Sequence, residues 1–189
     1  MLTIEKTGVA EQTIHKSRFI AYAQSVLSER EIVAFFRAIA TQNPNAHHLA
    51  YAYRIKTADG VVPRFSDAGE PSGTAGKPIL QMLDGQNLVN IAVAVIRYYG
   101  GVNLGTGGLA RAYSGTAKLA LKQCKTVPYV EMQTLKMTIE YNQLDNLTVF
   151  ICQKAGLILD KQFDALVHVE VSLPKTEVTG LLQKFNQIY

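Results

Sequence analysis

Residues 88–99 read LVNIAVAVIRYY. The apolar residues are nearly continuous and rich in β-branched types, which suits a strand buried on both faces. That single feature constrains the fold most, because such a strand needs cover on either side. Its longest unbroken apolar run, Ile91 to Ile96, is far too short to cross a bilayer. Directly behind it comes RYYGGVNLGTGGLAR, residues 97–111, in which Gly100, Gly101, Gly105, Gly107 and Gly108 crowd into one short stretch. The spacing predicts a helix from about Leu109 to Gln123 after this loop.

Such a loop has two readings. Glycines let backbone N–H groups converge on an anion at a helix N-terminus, or they only serve a tight reversal that needs positive φ. The sequence leaves both open. GTGGLA has the spacing of a dinucleotide fingerprint but starts six residues after Tyr99, too far from the strand end. PSGTAGKP, residues 71–78, has proline where a P-loop needs its first glycine, and Pro78 where it needs Ser or Thr.

The predicted helix separates two kinds of residue. At 100° per residue, taking Arg111 as zero, Lys118, Lys122 and Lys125 fall at about −20°, +20° and −40°. Ser114 and Gly115 share that side, while Leu109, Ala112, Tyr113, Thr116 and Ala120 lie opposite and suit a sheet. No acidic residue occurs between Asp84 and Glu131. Residues 1–130 carry 14 Lys and Arg against 8 Asp and Glu, whereas residues 131–189 carry 5 against 7. This asymmetry points to a polyanion or acidic partner for the first part, or to an ordinary solvated surface. Arg97 joins the candidate cations, and Tyr98 and Tyr99 alternate faces so that one can stack on a base.

A polar loop, PRFSDAGEPSGTAGKP, gathers Arg64, Ser66, Asp67, Glu70, Ser72, Thr74 and Lys77 as a possible partner loop. Asp67 and Glu70 are the weak candidates for acid–base chemistry. Turn formation and helix capping, by Thr74 or Ser72, are the commoner use of such residues. His47 and His48 fall on opposite faces of a strand and cannot chelate one metal together, so no metal and no cofactor is expected. Cys124 and Cys152 form no disulfide framework and read as free thiols of a reducing compartment. The start, MLTIEKTG, lacks a secretory pattern, so a cytoplasmic location is expected.

Elsewhere the chain reads as alternating strands and helices. Ser17 to Val26 is a strand, and Ser28 with Glu31 forms a capping box before a helix that Asn43-Pro44 ends. Residues 47–66 read as a hairpin, and residues 77–85 as a short helix. After Pro128 the order is β-α-β-β-α, ending in a helix over Thr176 to Asn186, which is a ferredoxin-like order lacking its last strand. The expectation is an α+β chain of two domains, 1–130 and 131–189.

VIRYYGGVNLGTGGLARAYSG, FSDAGEPSGTAGKPIL, HHLAYAYRI and KSRFIAYA together resemble the IMPACT family, in its bacterial YigZ-type members. The resemblance implies a first domain like domain two of a small-subunit ribosomal protein and domain IV of elongation factor G. It implies a second domain of the ferredoxin-like type seen in elongation factor G domain V. Eukaryotic relatives regulate translation through an added N-terminal RWD domain, which this chain lacks. The expectation is a non-enzymatic module contacting RNA, a ribosome or a translation-related protein, DNA being a further possibility and a membrane none. The alternative is an enzyme or sensor holding a nucleotide or other phosphorylated small molecule at the glycine loop.

Overall fold

The computed structural model describes residues 1–185. They divide into two units, Met1–Tyr129 and Val130 onward. In the first, strands β1 (Leu2–Ile4), β2 (Gly8–Ile14) and β3 (Ser17–Ser25) precede helix α1 (Glu29–Gln42). Then follow β4 (His48–Thr57), β5 (Gly60–Ser66), α2 (Gly76–Gly85), β6 (Ile91–Tyr98), α3 (Gly105–Lys122) and β7 (Thr126–Pro128). The apolar run is β6, the middle strand of an antiparallel sheet ordered β2-β3-β6-β4-β5. Its alternation feeds two cores. Ile91, Val93 and Val95 pack with Ile79 and Leu83 of α2 and with Leu109, Tyr113, Ala117 and Ala120 of α3. Ala92, Ala94 and Ile96 pack with Ile32, Phe35 and Ile39 of α1. Helices therefore cover both faces of the sheet. β1 and β7 pair as a separate small ribbon.

The α1 start is the capping arrangement the sequence suggests. Ser28 Oγ accepts from Glu31 N at 3.2 Å, while Glu31 reaches back to Leu27 N at 2.9 Å. Strand β2 was not foreseen. It joins β3 through a two-residue reversal in which His15 and Lys16 both take positive φ, 44° and 65°. Turns of that kind are usually announced by Asn-Gly or Asp-Gly, and His-Lys carries no such signal.

The second unit holds β8 (Met132–Ile139), α4 (Leu144–Gln153), β9 (Leu157–Phe163), β10 (Val167–Pro174) and α5 (Val178–Lys184). Its antiparallel sheet runs β8-β10-β9. Met137, Ile139, Val169, Val171 and Leu173 close on Leu147, Ile151 and Leu181 from the helices. No fourth strand occurs in this sheet among the described residues, and Asn186, the expected end of the last helix, lies outside them.

Candidate functional site

Helix α3 begins at Gly105, four residues earlier than the periodicity predicts. The glycine cluster thus spans a loop and a helical first turn, and its members do different things. Gly101 and Gly105 have φ of 81° and 68°, where a side chain is strained. A Cβ on Gly100 would run into the Lys16 carbonyl of the β2–β3 reversal. Turn chemistry and close packing account for these three. Gly107 and Gly108 take no positive φ and sit in the first turn of the helix, where glycine costs about 1 kcal/mol relative to alanine. Leu104, at the N-cap, gives no side-chain hydrogen bond, and the first turn holds no acidic residue. Among the described residues, the unpaired N–H groups and the positive end of the helix dipole are thus left without a side-chain partner.

A cleft of about 520 Å³ opens at this helix start. His47 and His48 line it from the head of β4, Glu70 and Pro71 from the loop after β5, and Arg97 and Tyr99 from the end of β6. Asn103, Leu104, Gly105, Thr106 and Leu109 complete the wall. Arg97, expected among the surface cations, is only 4% exposed. Its Nη1 donates to Glu70 Oε1 at 2.7 Å and its Nη2 to Ser17 Oγ at 3.3 Å. The guanidinium lies between the rings of Phe19 and Tyr99, 5.5 and 5.0 Å from their centroids. Burying a lone charge would be prohibitive, so Arg97 belongs to the floor of the cleft as half of an ion pair.

Glu70 takes a second donor, the Tyr113 hydroxyl at 2.7 Å, on the same Oε1. Burial first, and then the Glu70 carboxylate, push Tyr113 well above the usual phenol range, so it stays a donor. His47 and His48 do not face away from each other, because β4 starts at His48 and strand alternation does not reach His47. The Tyr99 N–H donates to His47 Nδ1 at 3.2 Å, so neutral His47 carries its proton on Nε2. His48 Nδ1 donates to the Ala68 carbonyl at 2.9 Å, and its Nε2 lies 3.9 Å from Glu70 Oε1. Tyr98 turns its hydroxyl to Asn43 Oδ1 at 2.9 Å, leaving Tyr99 as the exposed ring of the pair. Among the described residues no three His, Cys, Asp or Glu side chains gather to hold a metal.

The polar loop proves largely structural. Asp67 accepts from the backbone N–H groups of Gly73, Ala75 and Gly76 at 2.8–3.0 Å, and so caps α2 from eight or nine residues upstream. Burial raises its pKa, but the backbone donors outweigh this and hold the carboxyl below its ordinary range. Capping by Thr74 or Ser72 is not what occurs: the Thr74 hydroxyl donates to the Pro71 carbonyl at 2.6 Å, and Ser72 makes no cap. Ser66 Oγ accepts from Ala68 N at 3.2 Å. Of the seven candidate residues of this loop, Arg64, Ser72 and Lys77 present exposed side chains for a partner. Of the two acid–base candidates, Asp67 is engaged in holding the loop together, and Glu70 ties it to Arg97 and Tyr113.

Along α3 the exposed cations remain. Arg111, Lys118 and Lys122 lie on its outer side, while Leu109, Ala112, Tyr113, Thr116 and Ala120 are buried. Lys125 is a correction: the helix ends at Lys122, and Lys125 Nζ pairs with Glu5 Oε2 at 2.8 Å. Three further clefts follow the helix. One of about 500 Å³ shares Asn103 and Leu104 with the first and adds Gln12, Arg111 and Gly115. The next, of about 600 Å³, shares Arg111 and Gly115 and reaches Lys118. The last, of about 350 Å³, shares Lys118 and reaches Lys122. Among the described residues no acidic side chain lines any of these three.

Gly115 sits where two of the clefts adjoin. An added Cβ there would meet only Gln12 Nε2, at an ordinary 3.7 Å. Packing does not demand glycine, yet glycine costs α3 about 1 kcal/mol against alanine. Gly115→Ala should therefore raise stability by about that amount, read from urea unfolding. A loss would mean that a neighbour needs the bare backbone.

Residues 15–121 match the Impact N-terminal domain, more than half of the chain. The chain belongs to the IMPACT family. It is similar to the IMPACT family member of Haemophilus influenzae, 41% identical over 181 residues, covering 95% of this chain and 87% of that protein. It is 36% identical to the IMPACT family member YigZ of Escherichia coli over 174 residues, covering 92% and 85%, as suits a YigZ-type member. A crystal structure of a hypothetical protein is 34% identical and aligns with 97% of this chain and 89% of its own at a TM-score of 0.71. Within this IMPACT protein, the matched segment contains every wall of the first cleft and α3 as far as Leu121. Gln12 and Lys122 fall outside it. No helix among the described residues is long and apolar enough to cross a membrane.

Proposed function

We propose that this IMPACT protein is a non-enzymatic, cytoplasmic module that binds RNA along α3 and serves translation through it, on the ribosome or beside a translation factor. One observation carries the reading. The clefts that follow α3 share residues from one to the next, hold Arg111, Lys118 and Lys122, and contain no carboxylate among the described residues. A surface helix held up only by charge would normally interleave acids at i,i+4 spacing. A strand of phosphates would supply the missing negative charge, with its register fixed by cations rather than by base edges. Kinship supports the cellular setting, since eukaryotic members of the family regulate translation.

Three phosphate contacts give a salt slope of about −2 for a single strand. Fluorescence titration of a labelled single-stranded RNA should thus show affinity falling about 20-fold between roughly 50 and 200 mM salt. An affinity that does not respond to salt would defeat the proposal.

A further inference from the structure

The first cleft differs from the others because it holds a partly used carboxylate. Glu70 Oε1 takes both Arg97 and Tyr113, and among the described residues no donor reaches Oε2. The side chain is only 4% exposed, yet Oε2 is not among the fully buried unpaired atoms, so it opens on the cleft as an acceptor without a protein donor. Arg97 neutralises the charge, so Glu70 does not bar an anion from the cleft, but Oε2 still asks for a hydroxyl or N–H. Beneath it Arg97 Nε is buried and unpaired. A few residues away lie groups of the opposite kind: the uncapped N–H groups of α3, the Thr106 hydroxyl, and His47 with its Nε2 proton undirected. Tyr99, 40% exposed, is fixed beside them by its hydroxyl bond to Asn103 Oδ1 at 3.1 Å.

We infer that this cleft binds a ribonucleotide: a nucleoside 5′-phosphate whose 2′,3′-hydroxyls are free. The phosphate sits at the α3 N-terminus with Thr106 and His47, where the helix dipole favours negative charge. The ribose hydroxyls donate to Glu70 Oε2, the chemistry by which an acidic side chain recognises a ribose elsewhere. The base stacks on Tyr99. The volume of about 520 Å³ suits a ligand of this size. Two sources offer this chemistry, a free 5′-nucleotide and the 3′-terminal residue of an RNA. The second source rests on the RNA reading above, and Asn103 and Leu104 join this cleft to the next along α3.

Calorimetric titration of the full chain with AMP, 2′-deoxy-AMP and adenosine tests the assignment. AMP should bind at least about 10-fold more tightly than either, since each comparison deletes a hydrogen bond to a charged group or the anion itself. Thr106→Glu puts a negative charge at the helix start. It should leave the fold as stable or more so by thermal melting, yet lower AMP affinity at least about 10-fold. Glu70→Gln should reduce the preference for AMP over 2′-deoxy-AMP; Thr106→Glu carries the test if that variant fails to fold. Equal binding of the three ligands, no binding of AMP, or AMP binding that survives Thr106→Glu overturns the inference. RNA oligomers with a free or a phosphorylated 3′ end separate the sources: a weaker phosphorylated end assigns terminal RNA, and equal ends beside selective AMP binding assign the free nucleotide. Lys118→Glu with Lys122→Glu should leave AMP affinity unchanged. Failure of the AMP series with salt-dependent RNA binding intact removes this inference alone, and the converse removes the RNA reading alone.

Discussion

Glu70→Ala should cost about 3–5 kcal/mol of stability, the usual result of removing one partner of a buried ion pair. The geometry makes the loss large. Arg97 Nη1 and the Tyr113 hydroxyl both depend on Glu70 Oε1 at 2.7 Å, and Arg97 is too deeply buried to turn to water. Its Nε already lacks a partner, and Ser17 at 3.3 Å would be the guanidinium's only remaining hydrogen bond among those described. Chemical denaturation followed by hydrogen exchange at the β6 amides reads the effect in the right unit. Replacing Glu70 and Arg97 together by apolar residues should cost much less than the sum of the single changes, because no charge is then stranded. A loss under about 1 kcal/mol for Glu70→Ala would mean that the pair is hydrated rather than buried.

Lys118→Glu combined with Lys122→Glu should weaken RNA binding about 100-fold at low salt and remove most of the salt dependence. The two residues are one helical turn apart on the exposed side of α3, and reversal changes the charge along the clefts from three positive to one negative with Arg111 retained. Phosphate contacts dominate affinity of this kind, so the loss should hardly depend on RNA sequence. Stability should change by no more than about 0.5 kcal/mol, since neither side chain is paired within the described protein. Lys125→Ala provides the contrast. That cation is already satisfied by Glu5, and its removal should leave RNA binding nearly unaltered. Retained affinity in the double reversal would take the RNA surface off α3.

The buried side of α3 was legible because helical period and hydrophobicity agree: Leu109, Ala112, Tyr113, Thr116 and Ala120 all point inward. β6 was legible as a strand buried on both faces, since its alternation feeds two cores. The helix start was not, because Gly105, Gly107 and Gly108 read as loop in any local window, and only the structure shows them taking up the first turn. β2 escaped notice for want of turn residues at His15-Lys16. The cleft could be read only in fragments. Arg97 looked like a surface cation because its partner is 27 residues away in sequence, and His47 was set aside on an alternation rule that does not apply ahead of the strand. Local periodicity reports which way a side chain faces; it does not report which distant segment it meets.

The floor of the first cleft ties together Ser17, Glu70, Arg97 and Tyr113, members of four separate segments. None of these can find its partners until the sheet has closed, and such long-range closures form late. If the first cleft binds as inferred above, a polypeptide still emerging from synthesis would stay mute toward its ligand until α3 has been made and docked, and recognition would double as a certificate that the first unit is finished.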